Sequence, residues 1–176
     1  MSPKKVVRYS SDPLDLEFRR NVIKFLNSAK KEVIIMTGEA QAFGYQDVRW
    51  AVKKARKRGV KFKIYATSPL YVDKWLAYGC DIYKGKEDVG DHYLLVDGKS
   101  FIHSYPHARR KIGVREGEIH LDDPEASKEI LKRFEKLVSK AEKITEGIDP
   151  FEKILKEPSD YGILTDSSKI DEAIYG

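Results

Sequence analysis

A histidine, a carboxylate and a tight turn stand close together in the stretch GDHYLLVDGKSFIHS, Gly90 to Ser104. His92 opens an apolar run and Asp97-Gly98 closes it. A histidine there could be a nucleophile, a weak base or a phosphate-binding group. His103 and Ser104, on the return run, are expected to face the same region as His92. Asp97 is expected to be structural, because Asp-Gly suits a two-residue hairpin turn. A loop then holds His107, Arg109, Arg110 and Lys111. Arginine forks match phosphate oxygens, so Arg109-Arg110-Lys111 reads as an anion-binding loop. The densest basic cluster is Lys53, Lys54, Arg56, Lys57, Arg58, Lys61 and Lys63. Such a run is either a solvated face or a footprint on a phosphate backbone, which gains affinity by releasing counterions. Lys54 and Arg58 are its candidate nucleic-acid contacts.

Other chemistries find less support. Of the four histidines, His103 and His107 are four apart, but Pro106 between them argues against a helix that would bring them together. No metal site and no cofactor are expected. Cys80 is the one cysteine, which excludes an internal disulfide framework and a four-cysteine zinc site. It follows Gly79, begins an apparent strand, and reads as a small buried hydrophobe.

The elements that must position these residues can be read from periodicity. Residues 16–30, LEFRRNVIKFLNSAK, carry apolar positions at helical spacing, with Asp12 and Pro13 upstream as start signals. EVIIMTG, 32–38, is a short buried strand ended by glycine. Residues 45–58 form a second helix with Val48, Ala51, Val52 and Ala55 as its stripe, stopped by Gly59. VKFKIYAT, 60–67, is a strand, 70–78 a short helix, and CDIYKG, 80–85, a short strand. HYLLVDG and KSFIHS form a hairpin, and GEIHL, 117–121, a further strand. Asp123-Pro124 starts a helix, with aspartate as N-cap and proline at the first position; it is expected to reach about Ile144. Trp50 lies off the apolar stripe of the second helix. It reads as an exposed residue available to a protein partner or a dimer interface. Alternating strand and helix over 16–85 indicates an α/β fold: a mixed sheet flanked by helices, parallel in part and closed by an antiparallel hairpin.

The chain has 176 residues, the size of a single domain. Charged residues are 35%, while there are only two asparagines and two glutamines, a composition suited to a thermophilic source. No run of 18 apolar residues occurs, so no membrane span is expected. The start, MSPKKVVRYSSD, has no apolar signal region, which points to the cytoplasm. Residues 145–176 hold eight acids and three lysines, a net −5, which leaves +10 on residues 1–144 out of the total +5. A basic body suggests nucleic acid as partner. The acidic extension, 147–176, is expected to dock in part on the body or on a protein partner, or to compete with the nucleic acid.

The helix ending in KKARKRGVKFKIYAT, then YGCDIY, the HYLLVDGKSFI hairpin and the helix EASKEILKRFEKLVSKAEKI resemble, in this order, the phospholipase D-like superfamily. The match covers about residues 16–144. The resemblance implies a phospholipase D-like domain over 1–146. In that family a His-x-Lys-x-x-x-x-Asp motif on the first hairpin strand transfers phosphoryl groups, with His as nucleophile and Lys on the phosphate. A chain with one copy completes its site as a homodimer. Aligned on Asp97-Gly98, the family's Asp falls on Asp97, its Lys on His92 and its His on Gly90. Aligned instead on His92, the Lys position becomes Leu94 and the Asp position Lys99. Neither register gives a complete motif, and glycine has no side chain to attack phosphorus. Degenerate copies of this fold serve as sensing or docking modules, and the chain resembles the effector domains of archaeal TrmB-type regulators. The winged helix that precedes that domain is not expected within this chain.

The expected function is therefore a non-catalytic, dimeric module for phosphate-containing ligands, foremost nucleic acid. Its remnant cleft would be formed by His92, His103, Ser104, Arg109, Arg110 and Lys111, with Lys54 and Arg58 adding contacts. The alternatives are a dimeric phosphodiesterase or nuclease with His92 as nucleophile, and a protein-interaction module with a vestigial cleft.

Overall fold

The structure, a computed structural model, describes residues 5–11, 15–40, 44–106 and 114–145. All lie in one compact unit, Met1–Glu146. The acidic extension, and with it every expectation placed on 147–176, lies outside the described residues.

The elements in chain order are β1 (Lys5–Ser11), α1 (Leu16–Ser28), β2 (Glu32–Thr37), α2 (Gln46–Lys57), β3 (Lys61–Ala66) and α3 (Val72–Ala77). Then follow β4 (Asp81–Lys84), β5 (His92–Val96), β6 (Ser100–Ser104), β7 (Arg115–Leu121), α4 (Pro124–Val138) and β8 (Glu142–Ile144). They build an eight-stranded mixed sheet in the order β1-β7-β6-β5-β2-β3-β4-β8. β2, β3 and β4 run parallel, each joined to the next through a helix. β5 and β6 form the antiparallel hairpin.

Strand alternation divides the core into two layers. On one face Val33, Ile35, Phe62, Ile64, Leu94 and Ile102 pack against Phe25, Leu26, Val48, Val52 and Trp75 of α1, α2 and α3. On the other, Ile34, Met36, Tyr65, Leu95 and Phe101 pack against Ile130, Phe134 and Leu137 of α4. Because β2 is covered on both faces, it reads as a continuous apolar run rather than an alternating one. Cys80 is buried in the first layer, and burial pushes its thiol up to about 12. Trp75 is also core, its indole N–H donating to the Leu70 carbonyl at 3.0 Å. Trp50, by contrast, is 60% exposed.

Two strands depart from the sequence-based expectation. β1 pairs antiparallel with β7 along all seven residues, yet only Tyr9 and Ser11 are buried. An edge strand with one shallow contact row leaves no clear two-residue period. At the other edge, the helix expected to run to Ile144 stops at Val138. The Ser139 hydroxyl donates to the Lys136 carbonyl, the chain turns through Lys140 and Ala141, and Glu142–Ile144 pairs with β4. Ala141 and Ile144 continue the helical stripe, so only the open edge of β4 decides the outcome.

The hairpin turn places Asp97 at φ 50° and Gly98 at φ 66°, the paired positive values of a type I′ turn. The Asp97 carboxylate also reaches across to the start of β2. It accepts backbone N–H groups from Lys30 at 2.9 Å, Lys31 at 2.8 Å and Glu32 at 3.0 Å. Burial opposes ionisation of this carboxyl. The N–H groups of Glu32, Lys30 and Lys31 and the Lys99 charge outweigh that and hold it below the usual carboxylate range. A carboxyl that ionises more readily in the fold contributes stability above its unfolded value of about 4, and that contribution is lost as pH falls through its lower, folded value. Asp97→Ala is expected to lower unfolding free energy by about 2–3 kcal/mol at pH 7. Denaturant titrations from pH 7 to pH 2 should show wild type losing stability in the acid range more steeply than Asp97→Ala.

Candidate functional site

The parallel strands end in a cleft of about 750 Å³. Its floor comes from the residues that follow β2 and β3, and one wall comes from the hairpin. Open α/β sheets commonly place ligands outside the carboxyl ends of their strands. Thr37, Gly38, Glu39, Thr67 and Ser68 line the floor. The Gly38 carbonyl accepts the N–H groups of Thr67 and Ser68 at 3.0 and 2.9 Å, which ties the two loop starts together.

His92, the first residue of β5, is half-buried in this cleft. Its ring lies over the floor: a methyl group built on Gly38 would come 3.9 Å from both His92 Cε1 and Thr67 Oγ1. Gly90 is exposed at the lip with φ +61° and open space around it. Its N–H donates to Asp88 Oδ1 at 3.1 Å, and Arg133 of α4 holds the preceding carbonyl, that of Val89. The lip is thus shaped by a left-handed glycine, the conformation least suited to a side chain.

Ser104 also lines the cleft, but it is buried and its hydroxyl meets the Tyr9 hydroxyl at 2.5 Å. Arg115, the described cation of the lining, is already engaged. Its guanidinium meets the Asp15 carboxylate at 3.1–3.3 Å and lies over the Phe18 ring. The remaining charged groups of the lining, Glu39 and Asp88, are acidic and exposed. The described cleft therefore offers hydroxyls, one imidazole and backbone groups, with no surplus of positive charge.

His103 does not join this group. Adjacent residues of a strand point to opposite faces, so with Ser104 turned to the cleft, His103 turns to the α4 side. There it stacks on Tyr93 at 4.7 Å and approaches Asp91 Oδ1 at 3.4 Å. His120 is on the same face, stacked on Phe101 at 4.2 Å and 3.3 Å from Glu118. Burial resists ionisation of Glu118, but hydrogen bonds from Tyr105 and His120 and the charges of His120 and His103 hold it below the usual carboxylate range. These contacts give His103 a structural setting in place of the expected cleft position.

The α2 cluster is not at the cleft either, since that helix runs away from it and ends beside the starts of β2 and β3. Arg58 Nη2 donates to the carbonyls of Leu26, Asn27 and Ala29 at 2.8–3.3 Å, closing the end of α1. That nitrogen is thereby used on the fold, while the residue itself remains exposed. Lys54 is exposed on the same helix. His107, Arg109, Arg110 and Lys111 lie outside the described residues, just beyond Pro106 of the cleft lining.

The sequence reading missed Tyr9, Gly38, Thr67, and the Arg115–Asp15 pair. Gly38 and Thr67 were findable, since each directly follows a parallel strand. Tyr9 depends on β1, which the sequence pattern hides.

No family model matches the sequence, and no curated protein matches it. Solved structures do. Nuc from Salmonella typhimurium, a phospholipase D family member, superposes with TM-score 0.64 at 16% identity over 82% of this chain and 100% of that one. NucT from Helicobacter pylori gives 0.60 at 16% over 81% and 100%. TrmBL2, an archaeal chromatin protein, gives 0.59 at 17% over 80% of this chain and 53% of that one. The chain has a phospholipase D-like fold, an α/β domain built on a mixed sheet flanked by helices.

The seat of Ser104 rests on a close approach. A methyl group at Gly117, opposite both Tyr9 and Ser104 in the sheet, would collide with the His103 carbonyl oxygen and come 2.8 Å from the Tyr9 hydroxyl. Gly117→Ala is expected to lower stability by about 1–3 kcal/mol. Thermal unfolding checks this, and hydrogen exchange should show the loss concentrated in β1 and β7.

Proposed function

We propose that this chain is a nucleic-acid-binding domain that keeps a phospholipase D-like fold without its hydrolytic site. The observation that carries this reading is Gly90. In the register fixed by Asp97, the nucleophile position at the cleft lip holds a glycine at φ +61°, and the phosphate-binding lysine position holds His92. Covalent phosphoryl transfer needs a positioned nucleophile, and the described cleft adds only hydroxyls and a cation engaged by a carboxylate. The +10 charge on residues 1–144 supports a polyanionic partner. TrmBL2, a structural neighbour described as an archaeal chromatin protein with a novel mode of DNA binding, supports DNA as that partner. Binding through charge needs no second copy of the chain, whereas a single-motif hydrolase would.

Labelled single- and double-stranded DNA and RNA, titrated at several salt concentrations on gels that resolve bound, free and shortened species, test the proposal. The expected result is a shift without shortening. The log of the affinity should fall linearly with the log of salt, by about 0.9 per duplex phosphate contact. Shortened products that disappear in His92→Ala would overturn it in favour of a hydrolase. Absence of any shift at low salt would overturn it in favour of a protein-interaction module.

A further inference from the structure

Five lysines of this domain gather at the end of the sheet opposite the cleft. Lys30 and Lys31 lie between α1 and β2, Lys54 and Lys57 on the last turns of α2, and Lys61 at the first position of β3. All five are exposed. Backbone and side-chain hydrogen bonds bring them onto one surface. Lys61 N–H donates to the Lys31 carbonyl at 2.8 Å, and Arg58 seats the end of α2 on the carbonyls of Leu26, Asn27 and Ala29, beside Lys30. Adjacent strand starts are about 4.8 Å apart, and Lys54 and Lys57 share one helix face.

A lysine-rich face is ordinarily balanced by nearby acids, as elsewhere in this domain. Lys63 meets Glu32 at 2.8 Å, Lys143 meets Asp81 at 2.7 Å, and Lys132 meets Glu129 at 3.0 Å. Among the described residues, none of the five lysines at this end has such a pair. The acids at this end have other partners: Glu32 meets Lys63, Asp81 meets Lys143, Asp122 meets Lys99, and Asp97 accepts three backbone N–H groups. The negative end of α2 explains a preference for Lys54 and Lys57 there. It does not explain Lys30, Lys31 and Lys61, which stand at strand starts.

We infer that this basic end, and not the cleft, is where the domain holds the phosphate backbone of a duplex. Lys30, Lys31, Lys54, Lys57 and Lys61 would supply the ion pairs, and Arg58 would fix the two helix ends that carry them. Such contacts neutralise phosphates without reading bases, so binding through this face is insensitive to sequence. The inference rests on the nucleic-acid reading above and gives it a location.

The test compares two triple variants that remove equal charge, Lys54→Gln/Lys57→Gln/Lys61→Gln at the basic end and Lys128→Gln/Lys132→Gln/Lys136→Gln on the exposed side of α4. Circular dichroism confirms the fold of each, and a labelled random-sequence DNA duplex is titrated at several salt concentrations. The basic-end variant is expected to bind at least about tenfold more weakly at 50 mM salt, with the salt slope reduced by about 2 to 3. The α4 variant is expected to stay within about threefold of wild type and keep its slope, since charges beyond a Debye length, about 14 Å at this salt, are screened. Equal losses in both variants, or no loss in either, would overturn the location. Failure of wild type itself to bind at low salt would instead overturn the nucleic-acid reading, and that result is visible before any variant is made.

Discussion

The Asp97 carboxylate holds the two halves of this domain in register. Three backbone N–H groups at the start of β2 converge on it, while its own N–H returns to the Glu32 carbonyl. The antiparallel hairpin is thereby fastened to the parallel strands at their junction, β5 against β2. The same strand, five residues back, carries His92 into the cleft. Anchor and cleft wall are one rigid element, so whatever occupies Gly90 and His92 is positioned by a bond network at the far end of the strand. Asp97 is tied into the fold by this network, whereas Gly90 and His92 stand at the cleft end of the strand.

Among the described residues, the two ends of the sheet differ in charge. At the carboxyl ends of the parallel strands, Arg115 is matched by Asp15, and Glu39 and Asp88 are exposed. At the amino ends, five lysines and Arg58 stand where the available acids are engaged. Among the described residues, a polyanion finds no free cation in the cleft lining and a group of lysines at the second end. The inferred duplex site is therefore the surface formed by the chain ends of α1 and α2 and the starts of β2 and β3.

Much of the fold is legible in the sequence because its central strands and helices are strongly periodic or continuously apolar. EVIIMT, the Val48–Ala55 stripe and the Asp97-Gly98 turn each have one plausible structure. The edges are different. β1 buries two side chains, and β8 competes with a helical stripe that Ala141 and Ile144 continue; both are decided by an open strand edge that no local pattern reveals. The site shows the same division. His92 follows from its place on the hairpin. The exchange of His103 for Gly38 and Thr67 follows only from knowing which face each strand residue takes, and the use of Arg58 on the end of α1 depends on how the two helices meet.

Backbone amide NMR of the 20.2 kDa chain titrated with a short DNA duplex tests the central claim most directly. The account predicts shifts concentrated at Lys30–Glu32 and Lys57–Lys61, with Gly38, Thr67, Gly90 and His92 unmoved and the DNA intact afterwards. Shifts centred on those four cleft residues, or cleavage of the duplex during the titration, would contradict it.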